Sequence, residues 1–450
     1  MSAAKILVVG FLIAGLFGFA ESSAEGFFEP LRKMNTGFEL NMLYTGDLIH
    51  NCFGGDKCGT AALGLFDCML SADMDDLCNW PGASVFIDGI VSHGNDPGNY
   101  TGDFQGVSNI AAGNTVKLYE FWLQQEFCKG NCSILAGIYD LNCEFDVNEF
   151  AGVFLNSSFG MGPDLSQGGV NGAPTYPNPA PALRIKWRFL DNYYLGAVIT
   201  DGVPGNPVDP LAFSVKLSSE EGALLCTELG YLTNAERMRY SPSKYGRKQQ
   251  RRKFLQAGHS RPQNGHRGRY RSETVVPDIN LPCHQYCKLA LGSWYYTAEF
   301  DGYAMIDDAK SYSGDWGAYL LGEKVLWSTS AKVGQLLGGF FRIGYANPKM
   351  NPVSHYCGCG LMFSGRSHHS CYHHLGLAFA AAWLSENYRQ TMLTGGDESD
   401  KLELVVELVY RSQINKWMTV QPDVQYIVNP GYIPENPDSF VLGLRFDVSI

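Results

Sequence analysis

Arg184, Lys186 and Arg188 alternate with apolar residues in LRIKWRF, and Glu403, Glu407 and Arg411 do so in KLELVVELVYR. Arg342 interrupts FFRIGYA, and Arg445 interrupts LGLRFDV, in the same manner. Residues two apart on an extended chain share a face. A face of guanidinium and carboxylate groups can hydrogen-bond a polar solute, which is the chemistry a selective pore needs at its narrowest point. Arg184, Arg188, Arg342, Glu403, Glu407, Arg411 and Arg445 are therefore candidate pore-lining, substrate-binding residues. The simpler reading of each, taken singly, is a wall charge that keeps a lumen wet. NSSFGMGPDLSQGG, 156–169, adds an amide, a ring and a carboxylate in Asn156, Phe159 and Asp164. It is the candidate for a segment that folds into the pore, with an exterior loop as the alternative.

Thiols and imidazoles cluster in HYCGCGLMFSGRSHHSCYHH, from His355 to His374. Both are zinc ligands, but the spacing matches no standard finger and an oxidising compartment turns thiols into disulfides. A disulfide-pinned loop is the leading reading there, and no metal is expected. Cys283 and Cys287 are separated by three residues. On one straight strand their sulfurs would lie about 13 Å apart at roughly 3.3 Å per residue, too far to bond. Cys128 and Cys132 flank the turn KGN and are disulfide candidates across a hairpin. No phosphate-binding glycine loop lies between a strand and a helix, and no G-x-S-x-G elbow occurs. Neither an enzyme nor a cofactor is expected.

The elements that would position these groups are strands. Leu183, Ile185, Trp187 and Phe189 form an apolar row opposite the arginines, as do Leu402, Leu404, Val406, Leu408 and Tyr410 opposite the glutamates. Helices would space apolar residues three and four apart. The last twelve residues, SFVLGLRFDVSI, alternate throughout. Only 18 % of the chain is charged, while Gly (51), Phe (26) and Tyr (24) are abundant, which suits strands and turns. The net charge of -11 argues against a nucleic-acid partner. Met1–Ala24 reads as a signal peptide: Lys5, an apolar run from Ile6 to Ala20, then small residues. Thirteen cysteines in an exported chain suggest disulfides, and the odd number leaves one free or bonded to another chain.

Alternation fits both a soluble sandwich and a barrel whose apolar face meets lipid. The signal peptide, the amphipathic terminal strand and the aromatics Tyr193, Tyr194, Trp294, Tyr295, Tyr296, Trp417 and Tyr426 near strand ends favour the barrel. Such a barrel has no edge, so its last strand pairs with its first. The expected fold is all-β: a closed antiparallel transmembrane β-barrel spanning residues 25–450, with long extracellular loops. The basic stretch 236–273 reads as an exposed insertion; it could bind anionic lipopolysaccharide, although a loop with no partner is the simpler reading.

GIYDLNCEFDVNEFAGVFLNSSFGMGPDLS, Gly137 to Ser166, resembles the signature block of OprB-type carbohydrate-selective porins. YTGDLIHN, WPGASVFIDGIVSHGNDP, GDFQGVSNI, DGVPGNP and YRSQINKWMTVQPDVQYIVNPGY resemble the family's other segments, in order, from about Tyr44 to the end. The resemblance implies an outer-membrane barrel of roughly sixteen strands. It implies passive diffusion of sugars and other small solutes past a constriction of infolded loops, lined by charged and aromatic side chains. Small sugars are then the permeants, outer-membrane lipid and lipopolysaccharide the surroundings, and a homo-oligomer or intermolecular disulfides the candidate associations. Three features depart from the family: the terminal Ile450 in place of an aromatic, the basic stretch, and cysteines at 52, 58, 68, 78, 128, 132 and 143. These cysteines favour the alternative of a structural or adhesive envelope barrel without selective transport.

Overall fold

The computed structural model describes residues 37–205, 221–233, 286–303, 311–329, 334–366, 372–415 and 417–449. Among the described residues sixteen strands occur in order. The first eight are β1 (Phe38–Phe53), β2 (Gly59–Asp73), β3 (Ala83–Gly94), β4 (Thr115–Phe127), β5 (Cys132–Tyr139), β6 (Ala180–Phe189), β7 (Tyr193–Asp201) and β8 (Ala223–Thr233). The second eight are β9 (Cys287–Asp301), β10 (Ser311–Ser328), β11 (Leu336–Ala346), β12 (Val353–Arg366), β13 (Tyr372–Leu384), β14 (Leu402–Gln413), β15 (Met418–Val428) and β16 (Ser439–Ser449). Each pairs with its sequence neighbours, and β16 pairs antiparallel with β1, closing the barrel.

Closure explains the terminal strand. Asp47 lies opposite Arg445 across the seam, and the guanidinium grips the carboxylate at 2.7 Å through both Nε and Nη2. The Thr45 hydroxyl donates to Asp447 Oδ1 at 2.9 Å. Leu442 and Leu444 of the same strand are exposed on the outer face. One face of β16 thus completes a polar interior and the other a lipid-compatible skin. Pro422 sits inside β15, where a missing N–H would break a ladder. The β14–β15 pairing stops at Val409 and Asp423 and resumes at Ser412 and Val420, so the proline occupies a gap.

Alternation sorts the other strands likewise. In β14, Glu403, Val405, Glu407, Val409 and Arg411 are buried inside, while Leu408 and Tyr410 are exposed outside. Exposed rings gather at both rims: Trp187, Tyr193, Trp327 and Trp417 at one, Phe53, Trp316, Trp383 and Tyr426 at the other. Two aromatic girdles bracketing an apolar band is the arrangement a bilayer requires. Tyr194, Trp294 and Tyr296, expected in these girdles, face inward and are buried. Neighbours on a strand point to opposite faces, so YY and WYY cannot send every ring to lipid.

Connections after even-numbered strands share one rim and include the tight turns 128–131, 190–192 and 414–417. Connections after odd-numbered strands share the other and include 95–114 and 140–179. Cys128 and Cys132 are both free thiols in this structure. The ladder sets Cys132 opposite Phe127, and Cys128 lies in the turn at φ 52°. Their backbone positions are therefore offset by one residue, yet the two thiols lie within hydrogen-bond reach of each other. The Met1–Ala24 and 236–273 segments lie outside the described residues. Among the described residues no helix is long and apolar enough to cross a membrane.

Candidate pore constriction

A connection lying within a barrel has backbone N–H groups that no ladder satisfies, and buried ones must find acceptors. Here the wall supplies carboxylates, each with about four acceptor positions. Glu407 of β14 accepts from Leu155 N at 2.6 Å and Asn156 N at 3.0 Å. Glu323 of β10 accepts from Phe150 N at 2.9 Å and from the Tyr286 hydroxyl at 2.6 Å. Glu228 of β8 accepts from Asp146 N, Tyr194 and Tyr319 at 3.0, 2.6 and 2.7 Å. Glu120 of β4 accepts from Asp140 N at 3.0 Å. The segment 140–179 is thus held to widely separated strands of the wall. Glu403 of β14 does the same for the 95–114 connection, accepting from Phe104 N at 2.8 Å and Gln105 N at 2.9 Å, and also from Gly431 N at 2.6 Å.

Wall amides and a lysine complete the attachment by donating to loop carbonyls. Gln421 donates to Val153 O at 2.7 Å, Gln425 to Val107 O at 2.9 Å, and Lys288 to Val147 O at 2.5 Å. Apolar packing fills the space beneath: Phe150, Phe154, Leu155 and Phe159 join Phe340, Tyr356, Val405 and Val409 in one buried cluster.

Arg342 of β11 is the strongest fastener. Its Nε and Nη2 bond Asp146 at 2.7 and 2.8 Å, and its Nη1 and Nη2 bond Asp164 at 2.5 and 3.1 Å. The guanidinium lies 5.5 Å from the Tyr319 ring centroid and 5.0 Å from that of Tyr356, favourable cation–π distances. Glycine is required around it. A Cβ at Gly162 would stand 2.0 Å from Arg342 Nη1, and one at Gly344 would stand 2.1 Å from Asp164 Oδ2.

A second charged group sits on β6. Arg184 Nε is 2.7 Å and Lys186 Nζ 2.9 Å from Glu144, to which the Tyr139 hydroxyl also donates at 2.9 Å. Burial would raise the Glu144 carboxyl, but Arg184 and Lys186 outweigh it and hold the pKa at about 2. Glu144, Phe145, Lys186, Tyr194 and Glu228 border a small hollow at the wall.

Six of the seven charges nominated from alternation face inward and are almost wholly covered, at 0–7 % exposure: Arg184, Arg342, Glu403, Glu407, Arg411 and Arg445. Each holds a partner; Arg411 bonds Asp447 at 2.5 Å and Gln421 at 3.0 Å. Their burial and their bonds make them fasteners of wall and loop. Arg188 differs: it is half-buried near the end of β6. The segment 156–169 is bonded to the inner wall. Asn156 Nδ2 donates to Gln425 at 3.2 Å, Asp164 holds Arg342, and Phe159 is buried. The alternation rule also covers Glu228 and Glu323, which were not nominated, whereas Glu144 and Asp146 carry no signal in their own neighbourhood.

The described part of the histidine–cysteine cluster is split between faces. His355, Cys357 and Cys359 lie outward on β12, while His374 is buried inside β13. His368, His369 and Cys371 lie outside the described residues. Among the described residues no group of His, Cys, Asp and Glu could hold a metal.

A family model described as carbohydrate-selective porin, OprB family, matches residues 57–450. Porin B of Pseudomonas aeruginosa is 22 % identical over 445 residues, covering 92 % of this chain and 87 % of that protein. The high-pH structure of Pseudomonas putida OprB superposes with a TM-score of 0.74 at 18 % identity, covering 95 % of this chain and 97 % of that one. The low-pH structure gives 0.50 at 14 % identity, with the same coverage. At such identities the two structures speak for the fold; the match over residues 57–450 establishes that the chain belongs to the carbohydrate-selective porin family, OprB.

Proposed function

We propose that the chain is an outer-membrane porin through which carbohydrates and other small polar solutes diffuse passively, and that the 140–179 connection forms its constriction. The observation that carries this reading is the attachment of that connection inside a closed barrel, by carboxylates and an arginine of the wall. A segment so fixed sets the cutoff by its position. Arg188, Lys186 and Glu144 are the charged groups proposed to meet solute, because Arg188 and Lys186 are half-buried and Glu144 borders the hollow beside the wall. The buried charges Arg184, Arg342, Glu403, Glu407, Arg411 and Arg445, with Asn156, Phe159 and Asp164, are proposed to shape the passage. The rim bearing 95–114 and 140–179 is assigned to the cell exterior, since barrels of this kind carry short turns on the periplasmic side.

The dense apolar filling around Phe150, Phe154 and Phe159 favours one other reading, a plugged structural barrel without selective transport. Proteoliposome swelling separates the two. Swelling in isosmotic glucose or maltose supports the porin, and liposomes that stay shrunken in both sugars support the structural barrel.

A further inference from the structure

The β1–β2 hairpin carries a cysteine on each side of its turn, in CFGGDKC from Cys52 to Cys58. The ladder pairs Ile49 with Ala61, His50 with Thr60 and Asn51 with Gly59. The ladder ends there; continued by one step, its register would set Cys52 opposite Cys58. Cys52 is half-buried at a bulge of β1 and Cys58 is exposed, both next to His50 and Thr60 of the outer face. On that face cross-strand side chains already meet, for His50 Nδ1 and Thr60 Oγ1 are 2.8 Å apart. The Cys58 thiol donates to the Cys52 carbonyl at 3.2 Å, so one sulfur rests against its partner's backbone.

Directly opposed residues of an antiparallel pair have Cα atoms about 4.5–5.5 Å apart. That is inside the roughly 4.4–6.8 Å that a disulfide spans. The turn is also braced from both sides. Asn51 Nδ2 donates to Gly54, Lys57 and Tyr100 carbonyls at 2.8, 3.1 and 3.1 Å. Lys57 N bonds Tyr100 O at 3.0 Å, Gly55 N bonds Pro437 O at 2.8 Å, and Asn436 Nδ2 bonds Asp56 at 2.8 Å. The hairpin is thereby held between the β3–β4 and β15–β16 connections, where the closing seam reaches the rim.

We propose that Cys52 and Cys58 form a disulfide in the exported protein, clasping this hairpin at the mouth of the barrel. Its formation needs a two-electron oxidant, and a dithiol oxidase of the envelope in its disulfide form is the class that fits. The exposed Cys58 thiolate attacks one oxidant sulfur, forming a mixed disulfide and releasing the other oxidant sulfur as a thiolate. The Cys52 thiolate then attacks the Cys58 sulfur and displaces the remaining oxidant sulfur. Two protons leave the hairpin and two are taken up by the oxidant, which ends as a dithiol.

The test is thiol mapping of the full-length protein in native membranes. Alkylation under denaturing conditions without reductant, followed by digestion and mass spectrometry, should give a 52–58 linked peptide lighter by the mass of two hydrogen atoms. Alkylation at Cys52 and Cys58 should appear only after reduction. Cys52→Ser should make Cys58 reactive without reductant, and Cys58→Ser should do so for Cys52. Alkylation of both cysteines in unreduced wild-type protein, or linkage of either to a different cysteine, would overturn the proposal, and this readout needs no variant to fold. Treating the purified barrel with glutathione disulfide then locates a failure: bond formation there assigns it to the compartment, and persistent free thiols assign it to the hairpin geometry.

Discussion

At the residue scale, Arg342 shows what a buried charge does in this wall. Its donors are committed to Asp146 and Asp164, with tyrosine rings on both sides. Removing one partner of such a group strands the others without solvent, at a cost of about 3–5 kcal/mol. Arg342→Ala should therefore lower the denaturant midpoint markedly and raise single-channel conductance as the 140–179 connection loosens. Adding Asp146→Asn and Asp164→Asn should recover part of the stability, because the stranded charges are gone; equal losses in the single and triple variants would refute the clamp. Glu144 offers a test by pH. Its folded pKa of about 2 lies below its ordinary value near 4.5. Its pairing therefore stabilises the fold fully above about pH 4.5 and is lost as pH falls through about 2. Glu144→Gln should be less stable than the parent at neutral pH, and the two unfolding curves should converge toward pH 2. A gap that persists unchanged at pH 2 would mean that the charge of Glu144 is not what Arg184 and Lys186 require.

At the element scale, the wall and the connection inside it respond to different rules. Glu407 belongs to β14, yet its acceptors serve Leu155 and Asn156. Glu407→Gln keeps one acceptor oxygen and faces the same N–H groups with an amide nitrogen. One unmet buried donor costs about 1–3 kcal/mol. The ladder itself is untouched, so the far-UV circular dichroism should be unchanged while proteolysis within 140–179 accelerates. Loss of the β-sheet spectrum would show instead that the connection holds the barrel together. This division also decides what could be read beforehand. A strand's faces follow from a period of two residues, so LRIKWRF, KLELVVELVYR and SFVLGLRFDVSI disclose their inward charges from local order alone. That Asn156 meets Gln425, or Asp146 meets Arg342, depends on side chains brought together only by closure of the ring. Local pattern therefore nominated the charges and missed their partners. The aromatic doublets failed for a related reason: nearness to a strand end says a ring is at a rim, and parity alone says whether it faces lipid.

At the scale of the whole molecule, strand parity fixes where the basic stretch 236–273 leaves the wall. Its flanking strands end at Thr233 and begin at Cys287, which are paired in register, with Cys287 N bonded to Thr233 Oγ1 at 3.1 Å. Both lie at the rim of the turns 128–131, 190–192 and 414–417, opposite the rim from which 140–179 enters the barrel. An attachment of basic residues to lipopolysaccharide of the outer leaflet needs the other rim. Under the proposed orientation, with the tight-turn rim toward the periplasm, the stretch is predicted to leave the wall on the periplasmic side. Its arginines and lysines also make it the richest trypsin target in the chain. Trypsin added to intact cells should leave the 236–273 peptide bonds uncut, and permeabilising the outer membrane should expose them to rapid cleavage, read by peptide mass spectrometry. Cleavage of that stretch on intact cells would invert the assignment: the 140–179 connection would then enter the barrel from the periplasm, and the cell surface would carry the basic stretch.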